Sequence, residues 1–130
     1  MKTKFLFVIL FACAAVAATS AQTDNQEDKR IRFKSGESSA TVTGGVPRGE
    51  TVSYILKGKK NQTMTVKVSS TESNAVFKIK NRTTGYFLPG AGEYDDASSW
   101  EGTLPSDGDY RIIVGSTRGG TEYTLIVTIH

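Results

Sequence analysis

From Ile31 to the end of the chain, short runs of β-branched and aromatic residues alternate with polar residues. Every second residue is apolar in residues 63–69, and the same holds in residues 122–129. A two-residue period is typical of β-strands with one buried face, whereas amphipathic helices repeat every 3.6 residues. No stretch sustains the helical period. The pattern therefore predicts an all-β fold.

Nine short strands are predicted at nearly even spacing, with glycine, asparagine or proline in most of the turns between them. The turns at residues 57–61 and 105–108 are predicted to be hairpin-like reversals, and residues 115–120 to join the last two strands. Many short strands with such turns favour two packed sheets. We therefore predict an antiparallel β-sandwich of about eight or nine short strands. The predicted strands cover residues 31–34, 38–43, 51–56, 63–69, 75–80, 86–88, 98–104, 110–114 and 122–129.

The first residues have the layout of a secretory signal peptide. Lys2 and Lys4 precede an apolar run over residues 5–18, which small residues follow. The run is shorter than the roughly 20 residues that a membrane-spanning helix needs. We predict cleavage after Ala21, a periplasmic or secreted protein, and no membrane attachment of the mature part. The alternative is a lipoprotein signal with lipidation at Cys13, but the apolar residues that follow this cysteine weigh against it.

The rest of the chain divides into a tether and one domain. Residues 22–30 contain no apolar side chain, which predicts a flexible polar tether. Residues 31–130 have the length of a single domain with one core, which we expect to be a monomer. The formal net charge of +3 falls when the two lysines of the leader are removed. The mature domain is then almost neutral, which argues against nucleic acid or an anionic membrane as partner.

The composition leaves little for catalysis. His130 is the only histidine and the last residue, and Cys13, the only cysteine, lies in the predicted leader. A mature domain of this kind has no histidine-based catalytic triad and no set of soft ligands for zinc. We therefore predict a binding protein that is not an enzyme, with no catalytic residues, metal or cofactor.

Acidic residues leave one metal site to consider. Glu93, Asp95 and Asp96 lie in a loop with flexible glycines, and their oxygens could ligate calcium. Their spacing matches no calcium-binding loop motif, and a solvated acidic loop accounts for the same residues. No two carboxylates of the chain can be placed across a cleft from sequence alone, as glycoside hydrolysis would require.

Two further features bear on binding. Lys57, Lys59 and Lys60 cluster near a turn, where a solvated tip explains them most simply. Trp100 could stack against a sugar on the face of the sandwich, or it could anchor the core, which is the commoner role of a lone tryptophan at the start of a strand. A non-catalytic carbohydrate- or cell-wall-binding module therefore remains an alternative function.

Several short motifs follow one another in a defined order. They are Ile31-Arg32-Phe33-Lys34 with Gly36, then Tyr54 ahead of residues 59–62, then Leu104-Pro105 with Gly108 and Tyr110, then Thr117-Arg118, and a final strand with Tyr123. This order resembles the periplasmic inhibitors of goose-type (g-type) lysozyme over residues 31–129. The Leu-Pro-turn-Gly-x-Tyr motif also occurs in β-sandwich modules similar to bacterial pre-peptidase C-terminal domains. The specificity lies in the order and spacing of the motifs.

The resemblance implies a β-sandwich that inhibits g-type lysozyme by inserting loops into the enzyme's cleft. It places the inhibitory arginine at Arg118, in a loop with Ser116, Thr117 and Gly119. In the other inserting loop, Arg48 stands where the family leads us to expect a tyrosine. An arginine suits a cleft with glutamate-based chemistry because the guanidinium offers a planar fork of donors to a carboxylate.

Overall fold

The computed structural model describes residues 27–130, so the predicted signal peptide, Cys13 and the first part of the predicted tether lie outside the described residues. None of the described residues forms a helix long and apolar enough to cross a membrane. The eight strands of this part of the chain form two four-stranded sheets, which confirms the predicted β-sandwich. The strands are β1 (Lys29–Arg30), β2 (Ser39–Val46), β3 (Val52–Gly58), β4 (Thr63–Ser70), β5 (Ala75–Asn81), β6 (Ser99–Thr103), β7 (Gly108–Ser116) and β8 (Thr121–Ile129).

Consecutive strands of the chain always lie in different sheets. Sheet A has the order β1-β3-β7-β5 and sheet B the order β2-β8-β4-β6. Every pairing is antiparallel except that of β1 with β3, which is parallel. The hairpin-like reversals predicted at residues 57–61 and 105–108 are therefore wrong, because both turns cross from one sheet to the other. Asn61 does adopt the positive φ expected of such a turn, at 75°.

Two of the predicted strands do not form. Pairing with β3 begins earlier than residues 31–34, at Lys29–Arg30, so the sandwich includes these two residues of the predicted tether. Residues 86–88 make only an isolated bridge, between Lys80 and Phe87. Both predictions rested on short apolar runs, and such a run does not show whether its backbone has a partner strand.

The core lies between the inward faces of the two sheets. The alternation in the predicted strands is confirmed, since Met64 and Val66 of β4 and Leu125 and Val127 of β8 are fully buried. Their neighbours on the other face of each strand are half-buried or exposed. Burial of one face of each sheet removes apolar surface from water and is the main stabilising contribution.

Tyr110 ties a loop to the core. Its side chain is fully buried, and its hydroxyl donates to the carbonyl oxygen of Ser106 at 2.6 Å while accepting from the Ser106 N–H at 3.2 Å. A tyrosine whose hydroxyl hydrogen-bonds to the backbone a few residues upstream is known in β-sandwiches as a tyrosine corner. Leu104 is also fully buried. The Leu-Pro-turn-Gly-x-Tyr motif is therefore structural.

The loops collect at two ends of the sandwich. Val52 pairs with Val114 and Ala75 pairs with Ser116, so the starts of β3 and β5 lie beside the end of β7. This end, called the three-loop end below, carries loops 47–51, 71–74 and 117–120. The opposite end carries the connections from β3 to β4 and from β6 to β7, which include the Tyr110 corner.

Candidate functional site

The two arginine-bearing loops are neighbours at the three-loop end. Val46 pairs with Thr121, which brings the end of β2 next to the start of β8. A Cβ atom added to Gly120 would lie 3.2 Å from the carbonyl oxygen of Val46 and 3.4 Å from the backbone nitrogen of Arg48. The loops therefore meet at a glycine, and Arg48 and Arg118 are both exposed beside it.

Arg48 lies in a tight turn. The N–H of Glu50 donates to the carbonyl oxygen of Pro47 at 3.0 Å, and Gly49 has a φ of +77°. A positive φ at this position favours glycine because a side chain would be strained there. The turn holds the Arg48 side chain at the surface.

A buried asparagine holds the Arg118 loop in place. Asn74 is only 2% exposed. Its Nδ2 donates to the carbonyl oxygens of Arg118 at 2.9 Å and Gly120 at 3.2 Å. The hydroxyl oxygen of Ser116 is a third acceptor, at 3.3 Å from the same nitrogen. The carbonyl oxygen of Asn74 accepts the N–H of Thr117 at 2.9 Å. Asn74 is not recognisable from the sequence as a residue of this site, because a single asparagine between two strands is an ordinary turn residue.

The predicted loop residues divide into two groups. Ser116 and Gly119 shape the backbone: Ser116 Oγ donates to the Arg118 carbonyl oxygen at 2.7 Å and accepts the Arg118 N–H at 3.2 Å, and Gly119 has a φ of +61°. Thr117 and Arg118 are exposed between them. The loop therefore presents these two side chains on a fixed backbone.

The Arg118 side chain lies against the third loop. Its Nη2 donates to the carbonyl oxygen of Glu72 at 3.0 Å. That acceptor is neutral, so this bond orients the guanidinium without compensating its charge, and the group has further N–H donors to offer. Arg118 is thus oriented but available to a carboxylate.

A groove of about 580 Å³ runs between the loops of this end. It is bounded by Pro47 on one side and by Thr71 and Glu72 on another. Gly120 and Glu122 form the remaining wall. Projecting loops with a shallow groove between them suit contact with another macromolecule more than enclosure of a small ligand, which favours a closed, mostly apolar pocket.

The acidic loop offers no metal cage. The Asp95 carboxylate accepts the N–H of Gly92 at 2.7 Å, a bond within the loop. In residues 27–130, no three His, Cys, Asp or Glu side chains come together in a way that would hold a metal ion. The calcium alternative therefore gains no support from the geometry of the loop.

Trp100 and the lysines have structural surroundings. Trp100 is half-buried on the edge strand β6, packs against the core, and donates its indole N–H to the carbonyl oxygen of Pro89 at 2.8 Å. Lys59 and Lys60 are exposed at the turn after β3, where their backbone N–H groups donate to side chains of Gln62 and Asp107. Neither feature forms an evident platform for a sugar.

Solved structures share this architecture. The periplasmic lysozyme inhibitor of g-type lysozyme from Aeromonas hydrophila has 30% sequence identity and a TM-score of 0.66, and the match covers 79% of this chain and 96% of that one. The corresponding inhibitor from Salmonella Typhimurium has 19% identity and a TM-score of 0.64, covering 82% and 100%. The pre-peptidase C-terminal domain of Bacillus anthracis collagenase has 16% identity and a TM-score of 0.61, also covering 82% and 100%. The last two likenesses show the fold alone. No protein-family model matches the chain, and no curated protein matches it significantly.

Proposed function

This chain belongs to the family of periplasmic inhibitors of g-type lysozyme, and we propose that it inhibits such a lysozyme by inserting the loop 117–120 into the enzyme's cleft. The observation that carries the proposal is the exposed Arg118 on a loop whose backbone is fixed by the buried Asn74. The Aeromonas relative is described as periplasmic. We propose export of this chain to the periplasm or the medium, with residues 1–21 as its signal peptide.

The chemistry of a lysozyme cleft suits this arginine. Glycosidases of this kind act through carboxyl groups, and a guanidinium can form two parallel hydrogen bonds to a carboxylate. On binding, Arg118 exchanges one hydrogen bond to the neutral carbonyl oxygen of Glu72 for a bidentate pair of hydrogen bonds to a carboxylate, in which donor and acceptor are both charged. The exchange favours the complex.

The rigidity of the loop also favours binding. Ordering a flexible loop at an interface costs free energy, and a loop that is already in its bound shape avoids that cost. The bonds of Asn74 and Ser116 to the Arg118 backbone provide this preorganisation. Arg48 lies on the adjoining turn, so both loops can enter one cleft, with Arg48 as the secondary contact.

The test is a titration of purified g-type lysozyme in a peptidoglycan-clearing assay. Arg118→Ala should weaken inhibition by about 30-fold to several thousandfold, the range for loss of one partner of a buried charge pair. Arg118→Lys should be nearly as harmful, because an ammonium cannot reproduce the fork. Arg48→Ala should cause a smaller loss.

Arg82→Ala is the matched control, because Arg82 is an exposed arginine in the connection after β5, next to the opposite end of the sandwich. It should inhibit like the wild type. Circular dichroism and thermal unfolding should show that Arg118→Ala remains folded, with a change of about 0.5 kcal/mol or less, because the side chain is exposed. A wild-type protein that fails to inhibit at excess rejects the function, and full inhibition by folded Arg118→Ala rejects the role of this arginine.

A further inference from the structure

A fourth loop presents a large aromatic side chain to solvent. Tyr94 is 92% exposed and lies in the connection between β5 and β6. An aromatic ring left in water forgoes a large hydrophobic gain, and tyrosine is enriched among the few residues that carry most of the binding energy of a protein interface. The fold itself makes almost no use of this side chain.

The loop around Tyr94 is anchored at both ends. Ala91 is fully buried and Ala97 is 9% exposed. Their carbonyl oxygens accept the N–H groups of Ile79 at 2.9 Å and Phe77 at 2.8 Å, both on β5. The five residues between the two alanines therefore project from a fixed base.

The projecting segment is also held internally. Asp95 accepts the Gly92 N–H through Oδ2 at 2.7 Å and returns a bond from its own N–H to the Gly92 carbonyl oxygen at 3.3 Å. Asp96 adopts a φ of +45°, which an aspartate tolerates better than most residues. Tyr94 thus stands at the tip of a closed turn, and the backbone that carries it does not need to be ordered on binding.

This loop faces the three-loop end across a groove of about 270 Å³. Gly92, Glu93 and Asp96 line one side, and the Arg48 turn lines the other through Glu50. Ser116, at the base of the Arg118 loop, lines the same groove. The Tyr94 loop and the two arginine-bearing loops therefore border the same groove.

We propose that Tyr94 is an anchor of the contact with the lysozyme, on the rim outside the cleft that Arg118 enters. This inference rests on the proposed function and extends it to a fourth loop. The exposed carboxylate of Glu93 lies beside the ring in sequence. A partner that fits this loop would offer apolar surface to the ring and positive charge to Glu93. The occupant is the same lysozyme molecule, because the Tyr94 loop borders the same groove as the loops of Arg48 and Arg118.

The experiment measures both the dissociation constant and the inhibition constant against g-type lysozyme. Tyr94→Ala should weaken binding about tenfold or more, and Tyr94→Phe by less than about threefold, because the ring and not the hydroxyl is buried. The matched control is Tyr86→Ala, since Tyr86 is 76% exposed next to Asn81 near the opposite end of the sandwich. It should bind like the wild type.

The charge beside the ring is tested by kinetics. Glu93→Gln should slow association a few-fold at low salt, and the difference from wild type should shrink as salt rises, because screening removes steering between exposed charges. Thermal unfolding of each variant serves as the folding control.

The outcomes separate the two proposals. If the wild type inhibits and Arg118→Ala does not, an unchanged dissociation constant for Tyr94→Ala overturns the role of Tyr94 and leaves the inhibitor function intact. An equal loss for Tyr86→Ala and Tyr94→Ala also overturns it, because the effect would not be confined to one surface. Absence of binding and inhibition by the wild type overturns both.

Discussion

The phenolic oxygens of Tyr54 and Tyr123 lie 2.6 Å apart in the interior of the sandwich, where one hydroxyl donates to the other. Tyr54 belongs to β3 of sheet A and Tyr123 to β8 of sheet B, so the bond joins the two sheets. Burial, together with this bond, raises the pKa of Tyr123 above its ordinary value of 10.0. A Cβ atom at Gly44 would lie 2.7 Å from the Tyr123 hydroxyl, so glycine there makes room for the pair.

Removal of one hydroxyl from this pair should cost more than removal of both. Tyr54→Phe leaves the Tyr123 hydroxyl buried without this partner, and we expect a loss of about 1–3 kcal/mol in the free energy of unfolding. The double variant, with Phe at both Tyr54 and Tyr123, should recover part of that loss, because no buried hydroxyl is then left without a partner. Urea unfolding of the two single variants and the double variant gives the coupling energy. Strictly additive losses would contradict this account.

The buried Asn74 should matter for inhibition as well as for stability. Asn74→Ala removes the Nδ2 bonds to Arg118 and Gly120, so the loop would have to be ordered on binding. We expect faster hydrogen exchange in residues 116–120 and inhibition about tenfold weaker, with Arg118 still present. Hydrogen exchange read by mass spectrometry and the lysozyme titration measure the two effects.

Asn81→Ala provides the control for that variant. Asn81 is equally buried, at 2% exposure, but its side chain bonds Ser106 and Thr83 at the opposite end. Each alanine variant should lower the free energy of unfolding by about 1–3 kcal/mol. Only Asn74→Ala should change the exchange of residues 116–120. If both variants weaken inhibition equally, Asn74 acts through global stability and not through the loop.

An ion pair across β3 gives the fold a predictable response to acid. Both carboxylate oxygens of Asp109 on β7 lie 3.1 Å from the guanidinium of Arg30 on β1. The hydrogen bonds from Arg30 lower the pKa of Asp109 below 3.8, and this outweighs the effect of its partial burial. The folded state therefore binds this proton more weakly than the unfolded state does. The stabilisation is complete above the unfolded pKa near 3.8 and is lost as the pH falls through the folded pKa.

Asp109→Asn should remove that part of the acid dependence. Thermal unfolding between about pH 5 and pH 2 should show a smaller fall in midpoint for the variant than for the wild type. High salt should reduce the difference, because the pair is partly exposed and is screened. Curves for the two proteins that stay parallel over this range would show that the pair contributes nothing to stability.

The candidate site could be predicted from the sequence only in part. The order of the motifs indicated the loop with Arg118, and the structure places Arg48 on the adjoining turn. Asn74 was missed because the acceptors of its Nδ2 group lie 42 to 46 residues further along the chain. Tyr94 was missed because the residues around it read as a solvated acidic loop. A side chain's exposure depends on what packs over it, which local pattern does not show.

The sequence by itself determined which residues face the core and roughly where the strands lie, because alternation every second residue follows directly from strand geometry. It did not determine which strands pair. Backbone hydrogen bonds are alike in every strand, so only packing of the whole chain decided that each connection crosses between the sheets. The same packing brought Arg30 to Asp109, 79 residues away, and placed Asn74 beneath the Arg118 loop. Arg118 could be identified from its own stretch of sequence, but the tertiary structure alone decided how its backbone is held.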